Sequence, residues 1–539
     1  MKLGGMARCP VEFAIHSTRR RRDAFNEVEV DVVFKGPKGI SMRVPAFWSG
    51  GNEFRVRFSA PVPGRYEFRS VCTDSRDTGL NGCSGTLEVE PYSGGNRLYR
   101  HGRLRVAGTK RHLEHADGTP FFWLGDTWWM GLCKRFRWPE DFRSLAADRV
   151  AKGYTVVQII AGLYPDMPAF DPRGLNEAGF PWKRDYSRII PGYFDTADLR
   201  IDWLVKQGLV PCIVGAWGYH LPWMGVKRLK QHWRNLVARY GAYPVTWCLA
   251  GEAAMAYYLS KTRDKDIADQ KRGWTETMAY VRAIDPYRNP ITIHPTDNSR
   301  NQVENTRLLD FEMLQTGHGD RQSLPNTVNS VVAAHKRKPR MPVLVAEVCY
   351  EGIGEFCRQD VQRLMFWTSM LNGACGHTYG ANGIWQVNTK DKPYGPSPHG
   401  MAWGNTPWDE AANLPGSRQL GIAKSLLEKY EWWKFEPHPE WMDPHWSEKT
   451  YIEAHAAGIP GKVRIFYIPG MPWGKVLVKR LERGAAYRTW LFNPVNGAKT
   501  PVGIARGNAR GDWMLQENWH KFAFPIYQDW VLVMERKGR

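Results

Sequence analysis

The chain has 539 residues, more than one hydrophobic core organises, so two to four domains are expected. Hydrophobic residues at 43% and charged residues at 24% make an ordinary globular balance, and the absence of any apolar run of about eighteen residues excludes a membrane-spanning helix. A net charge of +20 would attract anions, but it is spread along the chain and comes with no nucleic-acid-binding signature, so nucleic acid is not an expected partner.

The opening segment, "MKLGGMARCPVEFAIHSTRRRR", has no apolar core of signal-peptide type. The nine cysteines include no Cys-x-x-Cys pair. Cys212, Cys248, Cys349 and Cys375 sit in apolar runs, and only Cys72 and Cys83 flank a loop in a way that suits pairing. This usage fits a reducing compartment, and a cytoplasmic location is expected.

Residues 1–92 read as an antiparallel β-sandwich. "NEVEVDVVFKG", "ISMRVPAFWSG", "NEFRVRFSAPVPGRYEFRSVC" and "GTLEVEPY" alternate apolar and polar residues between Gly and Pro breaks. From 93 to 440 the rhythm changes. Eight short apolar runs follow: "FFWLGDTWW" (121–129), "TVVQIIAG" (155–162), "LVPCIVGAWG" (209–218), "VTWCLAGE" (245–252), "ITIHPT" (291–296), "FEMLQTGHG" (311–319), "VLVAEVCYEG" (343–352) and "GHTYGANGIW" (376–385). Helical spacing fills most intervals, as in Val226, Leu229, Trp233, Leu236, Val237 and Tyr240. Eight strands alternating with helices predict a (β/α)₈ TIM barrel. A doubly wound sheet would want a Gly-rich phosphate loop after an early strand, and none is present. Residues 441–539 return to short alternating runs, "KVRIFYIP", "YRTWLFNPVNG" and "DWVLVME", and read as a second small β-sandwich.

A barrel of this kind carries its chemistry at the C-terminal ends of its strands. The runs end in Asp126, in Trp217, Tyr219 and His220, in Glu252, in Gln315 and His318, in Glu347, and in His377, Tyr379 and Trp385. Glu252 and Glu347, on the fourth and seventh runs, are the candidate catalytic pair. Glycoside hydrolysis needs one acid to protonate the leaving oxygen and one carboxylate to attack the anomeric carbon or to activate water. The apolar surroundings of Glu252 suit it to the acid role, and Tyr or His donors would keep Glu347 ionised. Trp128, Trp217, Tyr379 and Trp385 are expected to stack on sugar rings, with Asp126, His220 and His318 as hydroxyl partners. Tyr219, Gln315 and His377 complete the expected rim. The 25 Trp residues suit flat stacking surfaces as well as core.

Other chemistries fit less well. His294, His318 and His377 lack the near-neighbour spacing of a zinc site, so no metal and no cofactor is expected. No Ser or Cys nucleophile sits in an elbow motif, and Cys349 reads as packing.

"FFWLGDTWW", "PVTWCLAGE" and "PVLVAEVCYEG" resemble the apiosidase-like catalytic domain family, one of the clan A glycoside hydrolases. The N-terminal "NEVEVDVVF…FRVRFSAPVPGRYEF" is similar to the sandwich that often precedes such barrels, and "WLFNPVNG…DWVLVME" to their C-terminal sandwich of collagen-binding type. The resemblance implies a retaining glycosidase, with Glu252 as acid/base, Glu347 as nucleophile and Asp126 binding sugar hydroxyls. Many clan A enzymes place Asn before the acid/base, where this chain has Gly251. The expected substrate is a plant or algal oligosaccharide or polysaccharide, and the basic charge admits an anionic one. A catalytically silent carbohydrate-binding protein is the alternative. Segments 163–200 and 386–420 are the loops expected to set specificity.

Overall fold

The computed structural model describes residues 1–470, 476–516 and 524–538. The segment expected as the third domain therefore includes 471–475, 517–523 and residue 539, which lie outside the described residues.

The N-terminal region packs a five-stranded sheet, with Val30–Lys35 and Gly64–Cys72 at its centre, against a three-stranded sheet of Pro10–His16, Phe47–Gly50 and Glu53–Ser59. The period-2 pattern of Val30–Lys35 turns Val30, Val32 and Phe34 inward, where Phe34 stacks on Phe58 at 3.8 Å. Cys72 and Cys83 are unpaired there, as are the other seven cysteines.

Eight parallel strands form the barrel wall: β1 Trp123–Trp128, β2 Val156–Ile160, β3 Val210–Val214, β4 Thr246–Cys248, β5 Ile291–Thr292, β6 Glu312–Gln315, β7 Val343–Glu347 and β8 Gly376–Tyr379. All five residues of β7 are buried, as expected of a strand with side chains packed on both faces. The long outer helices are α1 Glu140–Ala151, α2 Pro191–Lys206, α3 His220–Tyr240, α4 Arg263–Ile284, α5 Leu324–Lys336, α6 Gln359–Leu371 and α7 Pro415–Leu427. Between β5 and β6 the crossover is made of short 3₁₀ turns instead.

The ladder runs β5-β4-β3-β2-β1-β8-β7-β6 and stops at that same interval. Side chains close the seam. The Ser299 hydroxyl accepts from Met313 N–H at 2.8 Å and donates to the Ile293 carbonyl at 2.6 Å. The Asp310 carboxylate accepts from Ile291 N–H at 2.9 Å.

The C-terminal strands form a six-stranded and a three-stranded sheet. Both flanking regions are anchored to the barrel by arginines. Arg57 donates to the Arg239 carbonyl at 2.9 Å and shares Asp198 of α2 with the Arg239 guanidinium. Arg363 of α6 grips Asp529 through two bonds of 2.9 and 2.7 Å. No helix among the described residues is long and apolar enough to cross a membrane.

Candidate active site

A cleft of about 200 Å³ opens at the C-terminal end of the barrel. Glu252 follows β4 and Glu347 ends β7, and both line it. A larger cavity, about 530 Å³, lies at the other end, between the Ser41–Pro45 strand and the end of α4. Its one acidic lining residue, Asp285, already accepts from Trp247 Nε1 and Asn289 N–H, so that cavity holds no pair of carboxylates.

The two glutamates sit in opposite electrostatic settings. Burial and then the nearby charge of Glu347 push the Glu252 carboxyl up to about 8, despite a 2.9 Å hydrogen bond from Gln315 Nε2. Burial alone would also raise Glu347. His294 and His318 outweigh it and hold that carboxyl well below the usual range. His318 Nε2 lies 2.8 Å from Oε1 in a hydrogen bond, and His294 Nε2 lies 3.3 Å from Oε2, off the hydrogen-bond axis. At neutral pH one carboxyl keeps its proton and the other is an anion, the division of labour that acid-assisted displacement requires. Glu252 also holds a strained backbone, with φ of +40°, as such residues do where surrounding structure dictates their aim.

The walls are aromatic. Trp129, Trp217, Tyr350, Trp385 and Trp403 line the cleft, and Trp129 Nε1 donates to the Tyr350 hydroxyl at 3.0 Å. Two glycines admit these rings. A Cβ on Gly251 would lie 2.1 Å from Trp217 Cζ3, and one on Gly380 would lie 2.0 Å from Tyr350 Cδ1. This is the physical reason for Gly251 before Glu252: the indole of Trp217 occupies the space an Asn side chain would need.

Of the residues expected at the site, Glu252, Glu347, Trp217, Gln315, His318 and Trp385 come together in the cleft. The others do not. Asp126 and Trp128 point outward from β1 into the helix layer. Arg149 of α1 donates to Asp126 at 2.6 Å, Trp128 Nε1 donates to it at 2.8 Å, and the Trp128 ring packs edge-on against Phe136 and Phe142. His377 and Tyr379 share that outward face on β8. His377 is buried against Phe366 and pushed down to about 3, and Tyr379 donates to Glu351 at 2.6 Å. Tyr219 and His220 are buried beside the cleft, where both donate to the Tyr164 carbonyl, at 3.2 and 3.1 Å. The corrections on β1 and β8 have one cause. Successive strand residues face opposite sides, and on those two strands the expected residues stand on the outer one.

The cleft also contains residues the sequence reading passed over: Trp129 one position beyond Trp128, Tyr350 three beyond Glu347, and Asp166, Tyr258, His399 and Trp403 on long loops. Counting inward parity would have found Trp129. The loop residues carry no periodic signal. No cluster of three or more His, Cys, Asp or Glu with metal-binding geometry occurs among the described residues.

Residues 107–434 match the family model for the apiosidase-like catalytic domain, and residues 9–73 match that of a domain of unknown function, DUF5060. No curated protein matches the chain. Among solved structures, a glycoside hydrolase family 5 protein from Bacteroides vulgatus ATCC 8482 is 21% identical with a TM-score of 0.65, covering 81% of this chain and 94% of its own. A second protein of that organism, provisionally assigned as a glycoside hydrolase, is 17% identical with a TM-score of 0.69, covering 99% of this chain and 100% of its own. These likenesses support the fold. The family match spans well over half of the chain, and the chain belongs to the apiosidase-like catalytic domain family of glycoside hydrolases.

Proposed function

We propose that this hydrolase works by double displacement with retention, on an oligosaccharide or polysaccharide of plant or algal type. Glu347 attacks the anomeric carbon and forms a glycosyl-enzyme ester. Glu252 donates its proton to the leaving oxygen, then takes one from the water that cleaves the ester. The observation that supports this reading is the pair of carboxyls in one aromatic-walled cleft, Glu252 buried beside an amide and pushed up, Glu347 held down by two histidines. Aromatic faces suit the C–H faces of sugar rings, and Gln315 and the histidines hold the carboxylates in place.

The test is a screen of plant and algal oligosaccharides and polysaccharides, with products resolved by chromatography. Wild type should release sugar, and Glu347→Ala should not. Azide should partly rescue that variant by forming a glycosyl azide of inverted anomeric configuration, because a small anion fits where the carboxylate stood. Sugar binding without release in wild type would favour the silent carbohydrate-binding alternative.

A further inference from the structure

Asp166 is a third carboxylate in the cleft, and the mechanism above does not use it. It lies on the long loop after β2, 8% exposed, with a left-handed backbone at φ of +55°. Two loops meet on it. The Tyr258 hydroxyl, from the loop after β4, donates to Oδ1, and Ser397, from the loop after β8, donates to the same oxygen at 2.8 Å. Trp403 Nε1 in turn donates to Ser397 Oγ at 3.1 Å, which links the carboxylate to an aromatic wall. Both donors converge on one oxygen, so Oδ2 accepts no hydrogen bond from the described residues. Burial pushes this carboxyl up, against the pull of the Tyr258 and Ser397 hydrogen bonds. Fixed by those two donors, its second oxygen is an aimed acceptor for whatever enters, and when ionised it makes charge-assisted bonds roughly twice as strong as neutral ones.

The rest of the lining constrains what that occupant is. The cleft holds Asp166, Glu252 and Glu347 but no Lys or Arg among its described lining residues. Of its histidines, His318 pairs with Glu347, and His399, exposed on the loop after β8, accepts from Met401 N–H at Nδ1 at 3.2 Å. Nearby Arg173 is held by Asp171 through two bonds of 3.0 and 2.9 Å and by the Tyr394 and Pro396 carbonyls. The net charge of +20 is thus carried outside this cleft. A carboxylated or sulfated ring at the centre would meet the Asp166 and Glu347 carboxylates. The His318 imidazole, favoured in its charged form by Glu347 against the cost of burial, is already taken up by that carboxylate, and no Lys or Arg among the described lining residues answers the ring.

Resting on the hydrolase reading above, we infer that the ring bound at this centre is a neutral sugar, and that Asp166 selects it by accepting hydrogen bonds from its hydroxyls at Oδ2. An anionic polymer drawn in by the basic surface would have to present a neutral residue here.

The test uses the full chain and reads binding apart from turnover. Quenching of tryptophan fluorescence is titrated with neutral aldopentoses and aldohexoses and with the uronic acids matching the hexoses. In wild type the best neutral hexose should bind at least about 10-fold more tightly than its uronate. Asp166→Asn turns the charged acceptor into an amide. It should weaken the neutral sugar about 10-fold while leaving the uronate unchanged or tighter, so that discrimination closes. Tyr258→Phe keeps the carboxylate, loosens its aim and should give a smaller loss in the same direction, which guards against misfolding of the Asn variant. A uronate bound as tightly as its neutral counterpart in wild type, an equal weakening of both classes in Asp166→Asn, or no binding of either class would overturn the inference. Asp166-dependent binding of a neutral sugar with no hydrolysis of any glycan would keep it and sink the hydrolytic mechanism instead.

Discussion

Two sets of buried acids face opposite sides of the barrel wall. Outside the wall, Asp126 is met by Arg149 of α1 and by the Trp128 indole, and Glu351 accepts from the Tyr379 hydroxyl and from Gly416 N–H at 3.0 Å. Inside, among the described residues, Glu347 is met by two histidines and Glu252 by the Gln315 amide. Asp126, answered by a guanidinium, is spent on holding a helix to a sheet. Glu351, beyond the end of β7, is likewise taken up by the outer layer, whereas Glu252 and Glu347 line the cleft and keep chemistry available. The side of the barrel wall that each acid faces, and not burial, separates the two sets.

The sharpest way to break that comparison is to exchange the outcomes. Glu347→Ala should lower kcat by at least about 10⁴-fold, because no other group replaces a nucleophile, while its unfolding transition stays near that of wild type. Turnover within tenfold of wild type would remove Glu347 from that role. Glu252→Gln should lose about 10²–10⁴-fold on substrates with basic leaving groups and far less on activated aryl glycosides, where proton donation matters little. Equal losses on both would assign Glu252 another task. Asp126→Ala should do the reverse. It leaves the Arg149 charge buried without its main partner, which costs about 3–5 kcal/mol in denaturant unfolding, with kcat of the folded protein within a few-fold of wild type. A stable but inactive Asp126→Ala would put that residue back in the site.

The same contrast explains what could be read without coordinates. Eight apolar runs and their helical intervals foretold the barrel, because strands buried on both faces leave continuous Val, Ile and Leu runs. The run "VLVAE" ends in a carboxylate that burial makes costly unless it is used, and that singled out Glu347. The rim was harder. In "GDTWW" alternation separates Asp126 and Trp128 from Trp129, and the contacts of Asp126 with Arg149 and of Trp128 with Phe142, both on α1, show which of the two sets faces out. Asp166 was out of reach for a different reason. Its role depends on Tyr258 and Ser397, 92 and 231 residues away, and no local spacing encodes a meeting of three loops.

The smallest effect expected is also the most direct reading of the Glu252 environment. Its carboxyl is raised from 4.5 to about 8 in the folded chain. Between those two values the folded state binds more protons at this site than the unfolded state does, so stability falls as pH rises. The contribution is complete below pH 4.5 and is lost as pH climbs through about 8. Glu347 is depressed instead, so its contribution is present above 4.5 and lost only as pH falls below that, outside this window. Glu252→Gln carries no such proton. The difference in Tm between that variant and wild type should therefore stay flat below pH 4.5, grow in favour of the variant from there to about 8, and level off beyond. Wild-type kcat/KM should decline over the upper end of the same range, as the acid loses its proton, and the variant should lack that limb on activated substrates. A Tm difference independent of pH from 4 to 9 would mean that Glu252 is ionised like an exposed carboxylate, and the contrast between the two glutamates would collapse.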